Sequence, residues 1–175
     1  MTGCALAGGY AYSLLKNFFA RTLQMFGAEL PGNAYEVMNA AAEEARGMPD
    51  PILCEPYCCG TREKPEKRAC FRQIDADNFT PQAVTAAVLN GVCDELYGFY
   101  QNFCKLLQDK PKRLVGSGNG IRMNKLLAQI FSEKFGMPLR IPLYEEEAAF
   151  GGAFAAYMAA ENLSAADIQR RIRYK

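Results

Sequence analysis

From Val115 to Asn124 the sequence runs Val-Gly-Ser-Gly-Asn-Gly-Ile-Arg-Met-Asn. Glycines at 116, 118 and 120 lie between a short apolar stretch and a helical pattern, so backbone amides are uncovered where a helix begins. Such amides favour phosphate or other polar groups, and missing side chains let a ligand reach the backbone. Asn119 and Asn124 each carry a donor and an acceptor, which is what a purine edge asks for. Two phosphate-binding patterns are excluded. A Walker A loop needs Ser or Thr after its lysine, and Lys125 has neither. A Rossmann fingerprint needs its third glycine one place later, where Ile121 stands. A tight strand-to-helix turn with glycines for packing alone fits the same spacing, and pattern by itself leaves both readings open.

Other reactive residue types narrow the choice. The chain has no His, which removes serine and cysteine triads, His-ligated metals and imidazole acid/base chemistry. Seven Cys form no Cys-x-x-Cys pair and no regular spacing, so a disulfide framework is not indicated and reduced thiols in a cytoplasmic chain are expected. Cys54, Cys58, Cys59 and Cys70 can supply four thiolates, but not at the spacing of a zinc ribbon or knuckle. Cys59-Gly-Thr-Arg62, followed by Glu63-Lys-Pro65, reads as a turn with a charged tip. It is either a solvated loop or the border of a cleft in which Arg62 meets a phosphate or carboxylate.

The elements that must hold these residues follow from periodicity. Leu14, Leu15, Phe18, Phe19, Leu23 and Phe26 recur at helical spacing, with Gly27 at the C-cap. Asn33 with Glu36 predicts a capping box and a second helix to about Arg46. Prolines and charges dominate from Met48 to Lys67, a long loop with a short strand near Ile52–Cys54. A further strand is expected over Ala69–Ile74. Thr80-Pro81 starts a long helix by N-cap and N1 proline, with Val84, Val88, Val92, Leu96, Phe99 and Phe103 as its apolar face. The second half alternates: strand at Arg113–Gly116, the glycine turn, a helix through Leu126, Leu127, Ile130, Phe131 and Phe135, and a strand at Leu139–Ile141. This is a βαβ unit, so parallel pairing is expected. Glu145–Glu147 sit in the first turn of the next helix, where carboxylates favour the dipole. The small face of Ala148–Ala160 is expected to admit another helix or the glycine turn, and Ser164 with Asp167 caps a last short helix.

The chain has 175 residues, half of them hydrophobic, with 20 Lys and Arg against 19 Asp and Glu. That length is one ordinary domain or a piece of a larger one. The balanced charge argues against a nucleic-acid binder driven by phosphate neutralisation. The start lacks the basic and apolar regions of a signal peptide, and no apolar run is long enough to span a bilayer, so a soluble protein is expected.

Five segments in order resemble the C-terminal part of the FGGY carbohydrate kinases, most closely the sedoheptulokinase-like branch. They are Ala5-Leu-Ala-Gly-Gly-Tyr-Ala-Tyr12 leading into Leu14–Phe19; Pro56-Tyr-Cys-Cys-Gly-Thr-Arg62 with Pro65; Asn78-Phe-Thr-Pro81 with Gly91 and Glu95-Leu96; the glycine turn through Asn124; and Glu146-Glu-Ala-Ala-Phe-Gly-Gly-Ala153. The resemblance implies an α/β fold, an incomplete ribonuclease-H-like (actin-like ATPase) domain of short parallel strands with flanking helices. It implies transfer of the ATP γ-phosphoryl group to a sugar hydroxyl, with ATP and magnesium used by the complete enzyme. It places Gly120 and Asn124 at the adenosine part, Gly118 and Asn119 in shaping that turn, and Gly9 near the phosphate tail.

The same resemblance implies what residues 1–175 omit. The family's catalytic aspartate, sugar-binding residues, N-terminal sugar-binding domain and leading β-hairpins have no counterpart here, so no catalytic or metal-binding residue is assigned. The expected consequences are inactivity alone, an uncovered apolar helix face, and self-association or dependence on a complementary N-terminal half. A standalone nucleotide- or partner-binding module is the alternative. A Rossmann-type enzyme is disfavoured by the glycine register and the lack of a clear ribose-binding acid after Leu139–Ile141.

Overall fold

The computed structural model describes residues 8–174, so Cys4 and the Ala5–Ala7 start of the first glycine segment lie outside the described residues. The chain divides into two compact units, residues 1–110 and 111–175.

The first unit contains α1 (Gly8–Met25), α2 (Ala34–Glu44), β1 (Leu53–Glu55), β2 (Cys70–Arg72) and α3 (Pro81–Cys104). Thr80 starts α3 as expected: its hydroxyl accepts from the Ala83 amide at 3.2 Å, and Pro81 occupies the first turn. Gly27 ends α1 in the left-handed region, with Ala28 N–H donating to Leu23 C=O and Gly27 N–H to Gln24 C=O, a Schellman closure.

Two expectations are corrected in this unit. Asn33 forms no capping box: with φ −97° and ψ 34° it leaves the extended region that aims a cap side chain at the helix amides. Its side-chain amide donates instead to Glu36 Oε2 at 3.3 Å. The α3 core is not one apolar stripe either. Ala83, Thr85, Ala86, Ala87, Val88, Leu89, Gly91, Val92 and Cys93 are all buried, so the first half of the helix is enclosed nearly all round. The reason is that α1, α2 and β1 each pack against it. The expected helix α1 forms; it buries only Ala11, Tyr12 and Leu15, while Phe18 is 60% and Phe26, just past its end, 78% exposed. Tyr12 anchors the helix by donating its hydroxyl to Asn39 Oδ1 at 2.7 Å, and burial pushes its pKa up.

Strands β1 and β2 pair antiparallel, Cys54 opposite Phe71 and Glu55 opposite Cys70. Asn78, only 3% exposed, fastens the chain after β2: it donates to Asp50 C=O at 3.0 Å and Gln73 C=O at 2.8 Å and accepts from the Asp75 amide at 3.0 Å. Cys54 and Cys58 line an apolar groove of about 570 Å³ with Leu14, Leu15, Phe18 and Phe19 of α1, Phe71 and Ile74, and Val84 and Val88 of α3. Burial first, then the neighbouring Cys58 and Cys70, pushes the Cys54 thiol from 9.0 to about 12. A raised folded pKa stabilises below the ordinary value and loses that contribution as pH rises toward 12. Cys54 therefore holds on the order of 10³-fold less thiolate than an ordinary thiol near neutral pH. Iodoacetamide should alkylate exposed Cys59 long before Cys54, as peptide mapping against time will show; equal rates would contradict this burial.

The second unit contains β3 (Leu114–Val115), α4 (Asn119–Met123), α5 (Lys125–Phe135), β4 (Leu139–Arg140), α6 (Glu147–Glu161) and α7 (Ala165–Gln169). β3 and β4 pair parallel, Leu114 with Leu139 and Val115 with Arg140, closing the expected βαβ unit around α5. Leu127, Ile130 and Phe131 are its buried side. Gly136, at φ 62°, ends α5, and Met137 N–H returns to Ser132 C=O at 3.1 Å. The Ser164–Asp167 capping box forms on α7. The small face of α6 behaves otherwise than expected: a Cβ on Gly151 or Gly152 would meet nothing within 4 Å, and α6 has no buried residue. It is anchored by rings at its start, where Tyr144 stacks on Phe150 with centroids 3.7 Å apart and Phe150 meets Phe154 edge-on.

Candidate functional site in the glycine turn

β3 delivers the chain into the turn, with Gly116 N–H donating to Arg140 C=O at 3.0 Å. The three glycines then have different physical reasons. A Cβ at Gly116 would lie 2.8 Å from Ile121 Cγ2 and 3.0 Å from a Leu139 methyl, so this glycine is required by packing. Gly118 is required by conformation, at φ +90°. Gly120 has neither reason: it is exposed and a Cβ there would meet nothing within 4 Å. The packing reading thus covers Gly116 and fails at Gly120, whose Cβ position is open.

The turn also runs into a short helix that the sequence did not announce, α4. Asn119 is its exposed first residue. Asn124 ends α4 and caps α5: only 8% exposed, it accepts from the Leu127 amide at 2.9 Å through Oδ1. That oxygen is engaged by the helix. Asn124 thereby fixes the α4–α5 junction.

Sequence reasoning missed the residue that organises this region, Arg122. Its side chain is 8% exposed. Nη1 donates to Pro142 C=O at 3.1 Å and Nη2 to Tyr144 C=O at 2.6 Å, and Nη2 also pairs with the Glu147 carboxylate. The Arg122 hydrogen bond, ahead of the Glu147 and Gly118 backbone amides, holds the Glu147 carboxyl below its ordinary value. The glutamates read from sequence as dipole partners thus include one, Glu147, with a specific guanidinium partner.

The remaining candidates are placed elsewhere. Gly9 is exposed in the first turn of α1, in the first unit. The Cys59–Pro65 loop does border a cleft: Thr61, Arg62 and Lys64 face Asp94, Glu95, Gly98 and Phe99 of α3 across a groove of about 740 Å³. Gly60, at φ +71°, makes the turn, since a Cβ there would lie 2.4 Å from Pro65 C=O. Among the described residues no group of three or more Cys, Asp or Glu side chains converges on a metal position, and no helix is long and apolar enough to cross a membrane.

Comparison with known proteins gives this geometry a family. A search of curated proteins finds no match. Solved structures do match. The chain is similar to xylulose kinase from Rhodospirillum rubrum, at 22% identity and a TM-score of 0.75, over 99% of this chain and 33% of that one. It is similar to gluconate kinase from Lactobacillus acidophilus, at 17% identity and a TM-score of 0.75, over 93% of this chain and 32% of that one. It is also similar to Plasmodium falciparum glycerol kinase solved with ADP, at 18% identity and a TM-score of 0.66, over 92% of this chain and 30% of that one. The chain thus spans about a third of the length of these kinases. The likeness establishes the fold, a helix-rich part of an actin-like ATPase domain with short strands. The family profile described as the C-terminal domain of the FGGY family of carbohydrate kinases matches residues 4–160, and the chain belongs to that family.

Proposed function

We propose that the chain is the ATP-binding C-terminal part of a carbohydrate kinase that transfers the ATP γ-phosphoryl group to a sugar hydroxyl. The carrying observation is Gly120, an exposed glycine without a packing or conformational need, on a turn leading to a helix start. The residues fit a nucleoside: Gly118 and Gly120 leave backbone within reach, Asn119 offers a side-chain amide at the rim, and Asn124 holds the junction behind them. On this reading magnesium enters with the ATP phosphates, held by the complete kinase. The finer reading, a sedoheptulokinase-like member acting on a ketose, rests on the wording of the Gly60-Thr-Arg62 loop and of the glycine turn. A cytoplasmic enzyme suits its six described free cysteines.

The chain works with a complementary N-terminal part. The groove between α1 and α3 and the exposed Phe18 and Phe26 are the surface such a part would cover.

Gly120→Leu tests the site. Its side chain has room, so the melting temperature should hold or rise, since leucine is the better helix former. ADP affinity by calorimetry, measured on the full chain with and without a complementary kinase part, should fall about tenfold or more. Unchanged ADP affinity, or no ADP binding in either form, would overturn the proposal.

A further inference from the structure

We propose that Arg122 and Glu147 are positioning residues that set the conformation of the Gly118 turn. The inference rests on the nucleotide reading of that turn only for its consequence in binding; the clamp stands on geometry. α4 has five residues and no buried residue, and a helix so short does not hold itself in water. Its orientation must come from a tether, and Arg122 is the side chain that leaves α4 for the far side of the unit. Its two forked nitrogens reach Pro142 C=O and Tyr144 C=O, in the loop after β4, and the carboxylate of Glu147, in the first turn of α6. Arg122 is also tied to the turn itself, its backbone N–H donating to Gly118 C=O at 3.0 Å. The chain of contacts runs from the Gly118 turn through Arg122 to the loop after β4 and to the start of α6.

A plain stabilising ion pair is the competing explanation. A buried pair contributes little net stability against apolar residues of the same size, because both charges lose water. The Arg122 Nε is buried without a partner, a further cost. What the arrangement delivers is geometry: a planar fork holds two carbonyls and a carboxylate in one fixed plane from two nitrogens, whereas an ammonium donates from a single freely rotating nitrogen.

The Gly118 amide reports on the clamp directly. In the full chain its ¹⁵N–¹H shift should titrate with Glu147, with a midpoint below the ordinary glutamate value. Arg122 is the cation facing Glu147, and Glu145 and Glu146 precede it in the loop. Glu147→Gln should abolish that titration and speed hydrogen exchange at Gly118. Arg122→Lys, which keeps the charge, should fail to restore exchange protection. Glu147→Gln should also weaken ADP binding about tenfold. If Glu147→Gln leaves the Gly118 titration and exchange unchanged, or Arg122→Lys behaves as wild type, the clamp is wrong. If the wild type binds no ADP while the Gly118 titration follows Glu147, the nucleotide reading fails and the clamp stands.

Discussion

Replacing Gly91 by alanine should destabilise the first unit by about 2–4 kcal/mol, against the intrinsic preference of a helix for alanine. Gly91 is buried in the middle of α3, and a Cβ there would lie 2.3 Å from the backbone oxygen of Cys54. That oxygen belongs to β1, whose partner β2 holds it in register from Leu53–Arg72 to Glu55–Cys70. Backbone so tied cannot yield a few tenths of an ångström without disturbing the ladder, so helix and strand must separate. Gly98, seven residues on in the same helix, is the control: nothing lies within 4 Å of its Cβ position. Gly98→Ala should stabilise by about 0.5–1 kcal/mol. Urea unfolding of the full chain, followed by circular dichroism, separates the two. If both substitutions stabilise, α3 and β1 do not approach as described.

The difference between these two glycines marks the limit of what the sequence carries. Both stand in one helical run, each two residues after a leucine, and no local signal says that the strand from residues 53–55 arrives against Gly91 alone. Features decided within one turn of chain were legible. Gly27 and Gly136 end helices in the left-handed region, Thr80-Pro81 starts one, and Ser164 with Asp167 caps another. Parallel pairing of Leu114–Val115 with Leu139–Arg140 was also legible, because a helix of α5's length between two short apolar strands leaves little else. The enclosure of α3 was not, since it depends on α1, α2 and β1 arriving from separate directions. Asn33 kept the residue types of a capping box and lost the box to its own backbone angles.

The site follows the same division. Gly118 and Gly120 announced themselves by spacing. Arg122 did not, because its partners Pro142, Tyr144 and Glu147 are 20 to 25 residues away and no local pattern encodes a carbonyl acceptor. The one signal is the acidic run Glu145–Glu147 at the start of α6, which a helix dipole accounts for equally well.

The largest effect should come from restoring the rest of a kinase. On the proposed reading, sugar-dependent ADP release by residues 1–175 alone is at background, and adding a separately expressed N-terminal part should raise it by about 10³-fold or more. The argument is physical. Phosphoryl transfer asks the protein for in-line placement of acceptor and phosphate and for neutralisation of developing charge, not for covalent chemistry. The described residues provide an open glycine turn, the nucleoside seat of the proposed reading, and among them no carboxylates converge on a metal position. They also leave apolar surface in the α1–α3 groove that a second part would bury. Binding of that part should therefore appear as a higher melting temperature and as loss of dye binding to exposed apolar surface, in proportion to activity. Light scattering should show the isolated chain self-associating through the same surface, and the heterologous part should dissolve those assemblies as it binds. Full activity of residues 1–175 without any addition, or a monodisperse chain indifferent to the added part, would contradict this dependence while leaving the α3–β1 packing prediction intact.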